Sequence, residues 1–334
     1  MKVAVVGLGY WGPNLVRNLV GLLGPTSVTV CDRDKPRIEK LLETYPNVNH
    51  TTDIDDILKS SEIDGVVLAT PISTHGSLGQ AILESGKHLF VEKPLAESVA
   101  AAEQLIATAK EKNLVLMVGH TFEYSPPVTK IKEVFESGDL GKIFFISSTR
   151  VNLGLHQRDA SVIWDLAPHD LSILNYWLDE GPSRVTTVGR DCVNSGQPDV
   201  AFISLQYPSG VVATIEVAWL APSKLRRTAI VGEKKMVVYD DTENIEKVKV
   251  YDQGVQINDP KTFGEYQLTY RTGNIVSPRL KNVEPLREEM SHFVDCMRTG
   301  ATPKTDGQSG LRVVRALEAA QQSLETGSPV DITI

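Results

Sequence analysis

Three glycines, Gly7, Gly9 and Gly12, an acid at Asp32, a lysine at Lys93 and the pair Asp165 and His169 are the residues whose types and spacing suit chemistry. The glycines follow the apolar run VAVV with the spacing G-x-G-x-x-G. Gly7 suits a tight turn, Gly9 lets backbone approach a pyrophosphate, and Gly12 permits close packing of a helix on a strand. A helix starting here would aim its unpaired N–H groups and positive dipole end at phosphates. A second apolar run over 27–31 ends in Asp32, where a carboxylate accepts hydrogen bonds from an adenosine ribose. The plainer alternative is a packing turn with no ligand. Asp32 favours NAD over NADP because it repels a 2′-phosphate, while Arg33 beside it offers a guanidinium that could hold one.

Lys93 lies in EKP, residues 92–94, at the carboxyl end of an apolar run, where open parallel sheets place their ligand crevice. A lysine there either reaches a reacting oxygen or caps a strand end with its tip in water. Asp165 and His169 lie in WDLAPHD, opening an amphipathic helix through Ile173, Leu174, Trp177 and Leu178. If the helix already includes Asp165, the two share a face and the carboxylate orients the imidazole. Pro168 leaves that register open, and a capped helix with a satisfied histidine is the alternative. Two ligands without a third do not make a metal site.

The elements that must position these groups follow from patterning. The chain has 334 residues, 41% hydrophobic and 23% charged, enough for two domains each with a core. A formal net charge of −8 without a basic block argues against nucleic acid and anionic membrane as partners. No apolar run reaches the ~20 residues of a membrane span. The first residues are too short and glycine-rich for a signal peptide. Cys31, Cys192 and Cys296 are too few and too scattered for a disulfide framework, which fits a reducing cytoplasm.

Helical periodicity over 13–23, 36–45, 55–60, 74–85 and 98–112 alternates with apolar strands over 65–71, 87–94 and 114–120. That alternation predicts a doubly wound parallel sheet, an N-terminal Rossmann domain over 1–120. Beyond 121 a helix over 127–136 precedes crowded strand signals at 142–151, 184–192, 200–207, 211–220, 227–231, 236–239 and 248–251. These predict a second, α+β domain over 121–334, with a large, mainly antiparallel sheet open on one face for oligomer contact. Helices over 285–299 and 308–325 and a strand over 330–334 follow, and 253–283 reads as a long loop.

The glycine loop, VVLATPISTH, EKP, GHTFEYSP and D-x-x-x-H occur in order, with EPLREEMSHFVDCMRTG towards the end, and together resemble the glucose-fructose oxidoreductase/inositol dehydrogenase/rhizopine catabolism (Gfo/Idh/MocA) family. The resemblance implies an NAD(P)-dependent oxidoreductase of sugars, inositols or sugar nucleotides, acting as a homodimer or homotetramer through the second domain's sheet. It places Tyr10, Trp11, Thr70, Pro71, His75, Glu92, Lys93 and Pro94 at the cofactor with the glycines, Asp32 and Arg33. Lys93 lies by the nicotinamide and the substrate hydroxyl, the Lys93–Pro94 peptide is often cis, and Asp165 and His169 form the proton-transfer pair. RVNLG at 150–154, WDLAPHD and the end of the 253–283 loop look most like the branch that oxidises C3 of UDP-N-acetylglucosamine derivatives. Ser125 departs from the family's usual asparagine, so no ligand contact transfers to it.

The mechanism these residues suit is hydride transfer from a secondary alcohol to NAD as His169 removes the hydroxyl proton. An imidazole, with ordinary pKa about 6.5, is base-competent near pH 7, whereas an amine at about 10.4 is a cation suited to hydrogen-bonding the developing alkoxide. A relay through Lys93 stays open. For a diphosphate, Arg150, Arg158, Arg271, Arg279 and Lys281 are the available cations, and His120, Tyr124, Asn152 and His156 are further pocket candidates. Rival readings are a free-polyol or glucose dehydrogenase, a non-catalytic NAD(P)-sensing regulator, and a methyltransferase sharing only the glycine loop.

Overall fold

The computed structural model describes residues 1–154, 160–193, 196–252, 254–257, 268–271 and 273–333, with backbone alone at 254–257 and 268–271. The chain divides into two units, Met1–Tyr124 with Val283–Arg315, and Ser125–Asn282 with Ala316–Ile334.

In the first unit, strands β1 (Val3–Val6), β2 (Val28–Cys31), β3 (Asn49–Thr51), β4 (Gly65–Leu68), β5 (His88–Glu92) and β6 (Leu116–Gly119) alternate with helices α1 (Gly12–Leu23), α2 (Lys35–Thr44), α3 (Ile54–Lys59), α4 (His75–Glu84) and α5 (Val99–Glu111). The strands pair in parallel in the order β3-β2-β1-β4-β5-β6. All residues of β1 and β4 are buried, as continuous apolar runs in a doubly covered sheet require. The chain begins at the centre, winds outward to β3, then restarts at β4 beside β1. That reversal makes the carboxyl ends of β1 and β4 the switch point at which such sheets bind ligands. Asp53 caps α3 by accepting from the Asp55 N–H, and Ser98 caps α5 through the Ala101 N–H. Asp34 occupies the N-cap of α2 without a capping bond; its carboxylate pairs instead with Arg37 at 3.1 Å.

The second unit opens with α6 (Pro126–Glu136), followed by β7 (Ile143–Leu153), α7 (Val162–Leu178), β8 (Arg184–Arg190), β9 (Val200–Gln206), β10 (Val212–Ala218), β11 (Leu220–Gly232), β12 (Met236–Asp240) and β13 (Val248–Tyr251). The poorly patterned stretch contributes β14 (Gly254–Ile257), β15 (Leu268–Arg271) and β16 (Ile275–Val276) where a loop was expected. The nine-stranded sheet runs β16-β13-β12-β11-β7-β10-β9-β8-β17, with β17 at Val330–Asp331. Every pairing in it is antiparallel except β7 with β10. β11 starts at Leu220, earlier than its patterning suggests, because a register shift between Leu220 and Leu225 absorbs the break in alternation. One face alternates inward through Ala201, Ile203 and Leu205, the other outward through Phe202 and Val188, which lie directly opposite each other.

The helix α8 (Pro285–Thr299) belongs to the first unit, although the sequence reading assigned everything after residue 121 to the second domain. Its Leu286, Met290, Phe293, Val294 and Met297 join the core of β1, α1 and β2, so the helix covers that sheet with its apolar stripe. The last helix, α9 (Gly307–Thr326), runs from the first unit into the second.

Candidate active site

The glycine loop has the geometry a dinucleotide requires. Gly7 has φ +97°, and a Cβ there would lie 2.5 Å from the Ala69 carbonyl oxygen. A Cβ at Gly12 would lie 2.1 Å from the Gly7 carbonyl oxygen, whereas Gly9 has no neighbouring atom within 4 Å of its Cβ position. The first two are therefore required by the fold itself, while Gly9 keeps an open approach to backbone. Tyr10 is 89% exposed and stacks on Trp11. Asp32, at the end of β2, is fixed by two backbone donors: the Leu8 N–H to Oδ2 at 2.6 Å and the Asp34 N–H to Oδ1 at 2.9 Å. With its carboxylate 10% exposed and so held, its remaining lone pairs suit the vicinal hydroxyls of a ribose. Arg33 is exposed, and the cation nearest Asp32 is Arg37, at 3.6 Å, which sequence reading did not single out. These residues fit NAD. Replacing Asp32 with serine is expected to weaken NAD binding by ~10- to 100-fold, the worth of one charged hydrogen bond, and to narrow the gap to NADP. Fluorescence titration with NADH and NADPH checks both.

The ends of β4, β5 and β6 carry the next group. His75 is buried, with Nδ1 2.8 Å from the Pro94 carbonyl and Nε2 2.9 Å from the Thr70 carbonyl. Burial pulls its pKa down against those two carbonyls, which pull it up. Both ring nitrogens are thus engaged, and His75 ties the Thr70–Pro71 loop to Pro94 where a direct cofactor contact was expected. The Thr70 hydroxyl lies 2.7 Å from that of Thr74. Lys93–Pro94 is a cis peptide. The Lys93 N–H donates to Glu92 Oε2 at 3.3 Å, and the Trp11 indole also hydrogen-bonds the Glu92 carboxyl, joining the glycine loop to the lysine's strand. The β5–β6 register sets Glu92 opposite Gly119, where a Cβ would lie 3.1 Å from the carboxyl carbon, so His120 follows Gly119 beside Lys93. His120 is buried with neither ring nitrogen bonded among the described residues, and burial and the charge of Lys93 take its pKa down to about 3.

Behind these lies a cluster of acids. Glu92 is pushed up to about 7 and Glu123 to about 8, in both cases by burial first, with Lys93 and Lys304 respectively opposing it. Glu289 on α8 stands well above the carboxylate range through burial, then the charge of Glu92, against a 2.6 Å bond from the Thr121 hydroxyl. A carboxyl raised in the folded protein binds its proton more tightly there than in the unfolded chain. The stability it contributes is fully present below the ordinary carboxylate pKa and is lost as pH rises through the folded value. Glu289→Gln is therefore expected to melt higher than the parent above pH 8 and to show a flatter decline from pH 5, by a few degrees, in thermal melts. Tyr124 turns its hydroxyl to Thr305 at 3.3 Å and packs its ring near His292 and under Lys304, a structural role where a pocket role was expected.

In the second unit, α7 runs through Pro168, and the Asp165 N–H bonds the Ser161 carbonyl, so the helix includes Asp165. Asp165 and His169 therefore share a face, four residues apart. Burial of the helix's apolar residues offsets the ~3 kcal/mol that an internal proline costs. The Asp165 carboxylate accepts a 3.1 Å hydrogen bond from the Trp219 indole. Arg150 departs from its expected role: it is fully buried in β7 and its Nε donates to Asp170 Oδ2 at 2.5 Å, with Ser148 donating to Oδ1. The reason is position, since Arg150 alternates inward, and an inward arginine needs a buried acid from α7. Asn152 is half-buried on the same strand, and Arg279 and Lys281 are exposed. His156, Arg158 and the side chain of Arg271 lie outside the described residues. No group of three metal-ligating side chains occurs among the described residues, and none of their helices is long and apolar enough to cross a membrane.

A doubly wound parallel sheet with a glycine loop and an acid at the end of β2, and a second sheet with an Asp-His helix, are the features of an NAD-binding oxidoreductase. The chain belongs to the Gfo/Idh/MocA family: residues 1–120 match the oxidoreductase family's NAD-binding Rossmann fold, and residues 128–238 match the GFO/IDH/MocA C-terminal domain. It is 24% identical to the scyllo-inositol 2-dehydrogenase (NAD(+)) of Bacillus subtilis, covering 100% of this chain and 97% of that protein. Its fold matches UDP-N-acetylglucosamine 3-dehydrogenase GnnA from Acidithiobacillus ferrooxidans with a TM-score of 0.82 at 24% identity, covering 98% of each chain. It also matches GenD2 from gentamicin A biosynthesis, solved in complex with NAD, with a TM-score of 0.83 at 23% identity over 100% of this chain and 97% of that one.

Proposed function

We propose that the protein oxidises a secondary hydroxyl of a sugar nucleotide, C3 of a UDP-N-acetylglucosamine-type sugar, to the ketone. The observation that carries the reading of the chemistry is the Asp165–His169 pair on one helix face with its carboxylate fixed. A ring nitrogen of His169 takes the hydroxyl proton, and Asp165 holds the ring and favours its cationic form. The family resemblance supports a role for Lys93 Nζ as the hydrogen-bond donor to the oxygen as charge develops on it. NAD, when bound, supplies the hydride acceptor. Asp32 fixes the adenosine ribose, and the glycine loop cradles the pyrophosphate. Fold likeness to a UDP-N-acetylglucosamine 3-dehydrogenase supports the substrate class, and a scyllo-inositol dehydrogenase relative supports the second reading, a free polyol. A panel of UDP-sugars, inositols and free hexoses with NAD, followed by NADH absorbance, separates them. Turnover of UDP-N-acetyl sugars alone supports the first reading, and turnover of free polyols alone ends it.

The same reading makes the protein a cytoplasmic homodimer or homotetramer through its open sheet face. That face carries Phe145, Val188, Phe202 and Val212, exposed by 44%, 69%, 54% and 48%, with Val188 opposite Phe202 and Phe145 opposite Val212.

A further inference from the structure

We propose that Trp219 is a positioning residue for the Asp165–His169 pair, its indole N–H fixing the carboxylate that orients the imidazole. The inference rests on the reading that this pair handles the substrate's proton. Trp219 lies between the end of β10 and the start of β11 and is 1% exposed. Its place is set from three sides. Its own N–H donates to the Asp199 carbonyl at 3.0 Å, its carbonyl accepts from the Gly154 N–H at 2.9 Å, and Gly154 lies against the ring, where a Cβ would be 2.3 Å from Cδ1. Only glycine fits against the indole there. A ring held this firmly presents its N–H at one point, and Asp165 Oδ2 lies 3.1 Å from it.

The chemistry of the donor decides what the contact does. Indole is a donor only, so Trp219 cannot take or relay a proton. What it does is remove rotational freedom from a half-buried carboxylate on a helix face by engaging Oδ2. A tryptophan that merely filled the core would need some partner for its N–H, but the effect of losing it would then be independent of Asp165.

A double-mutant cycle of Trp219→Phe and Asp165→Asn, with turnover measured across pH and NADH affinity measured by titration, tests this. Trp219→Phe is expected to lower kcat by ~10-fold, to move the pH profile of kcat and to leave NADH affinity within about twofold. In the Asp165→Asn background the same substitution should cost less than about twofold. Losses that multiply, or wild-type kcat in Trp219→Phe, overturn the proposal. If Asp165→Asn itself turns over normally, the assignment of the pair fails as well; if Asp165→Asn is slow and Trp219→Phe is not, only the role of Trp219 fails. Should Trp219→Phe melt far below the parent, Gly154→Ala, which pushes the ring aside, replaces it in the cycle with the same expected coupling.

Discussion

His169→Asn is expected to lower kcat by ~100- to 10,000-fold, the range over which a positioned general base acts, with NADH affinity unchanged. Asparagine keeps a similar size and a hydrogen-bonding end but cannot accept the hydroxyl proton near neutral pH. Lys93→Met should produce a loss of ~100- to 1,000-fold, comparable to removing one donor from a developing oxyanion. The two differ in their pH dependence. With His169 as the base, which must be neutral to act, kcat is expected to fall at low pH, His169→Asn to abolish that limb and Lys93→Met to retain it. Pre-steady-state formation of NADH across pH reads both. A limb that survives in His169→Asn would move the base to another residue.

The glycine loop carries the second large effect, and the structure splits its three glycines into two kinds. At Gly12 a Cβ would meet the Gly7 carbonyl oxygen at 2.1 Å, a backbone atom that can give only if the turn opens. Gly12→Ala is therefore expected to lower thermal stability, since overpacking of this kind costs ~1–3 kcal/mol before any ligand is considered, and to lower NAD affinity as well because the turn that faces the pyrophosphate must open. At Gly9 nothing lies within 4 Å, so Gly9→Ala should melt within a few degrees of the parent while its methyl blocks the approach to pyrophosphate. Thermal melts together with NADH titrations separate the two kinds. Normal NADH affinity in Gly9→Ala would show that the dinucleotide lies elsewhere.

Much of this was legible in the sequence because it is local. The run into the glycine loop, the acid ending β2, and α7 with its i and i+4 pair all lie within short windows, where periodicity and turn chemistry determine structure. What was not legible depends on partners distant in the chain. The apolar stripe of α8 announces a buried face, but only the three-dimensional core determines that it covers α1 and β1. Alternation in β7 and β10 fixes which face is inward and says nothing of which strand each pairs with, so their parallel pairing was unforeseen. Arg150 read as a phosphate ligand because its buried acid, Asp170, sits on a different element. Trp219 drew no notice for the same reason: 54 residues separate it from Asp165. His75 illustrates a further limit, since a motif reports that a residue matters without saying whether it touches the ligand or braces the loops that do.

Mixing the protein with NAD and a UDP-N-acetyl sugar deuterated at C3, and weighing the nicotinamide released from a single turnover, tests the central claim most directly. The account predicts reduced cofactor one mass unit heavier than that formed from unlabelled sugar, formed more slowly by a primary isotope effect. Reduced cofactor without deuterium, or none from this sugar while a free polyol reduces NAD readily, would contradict it.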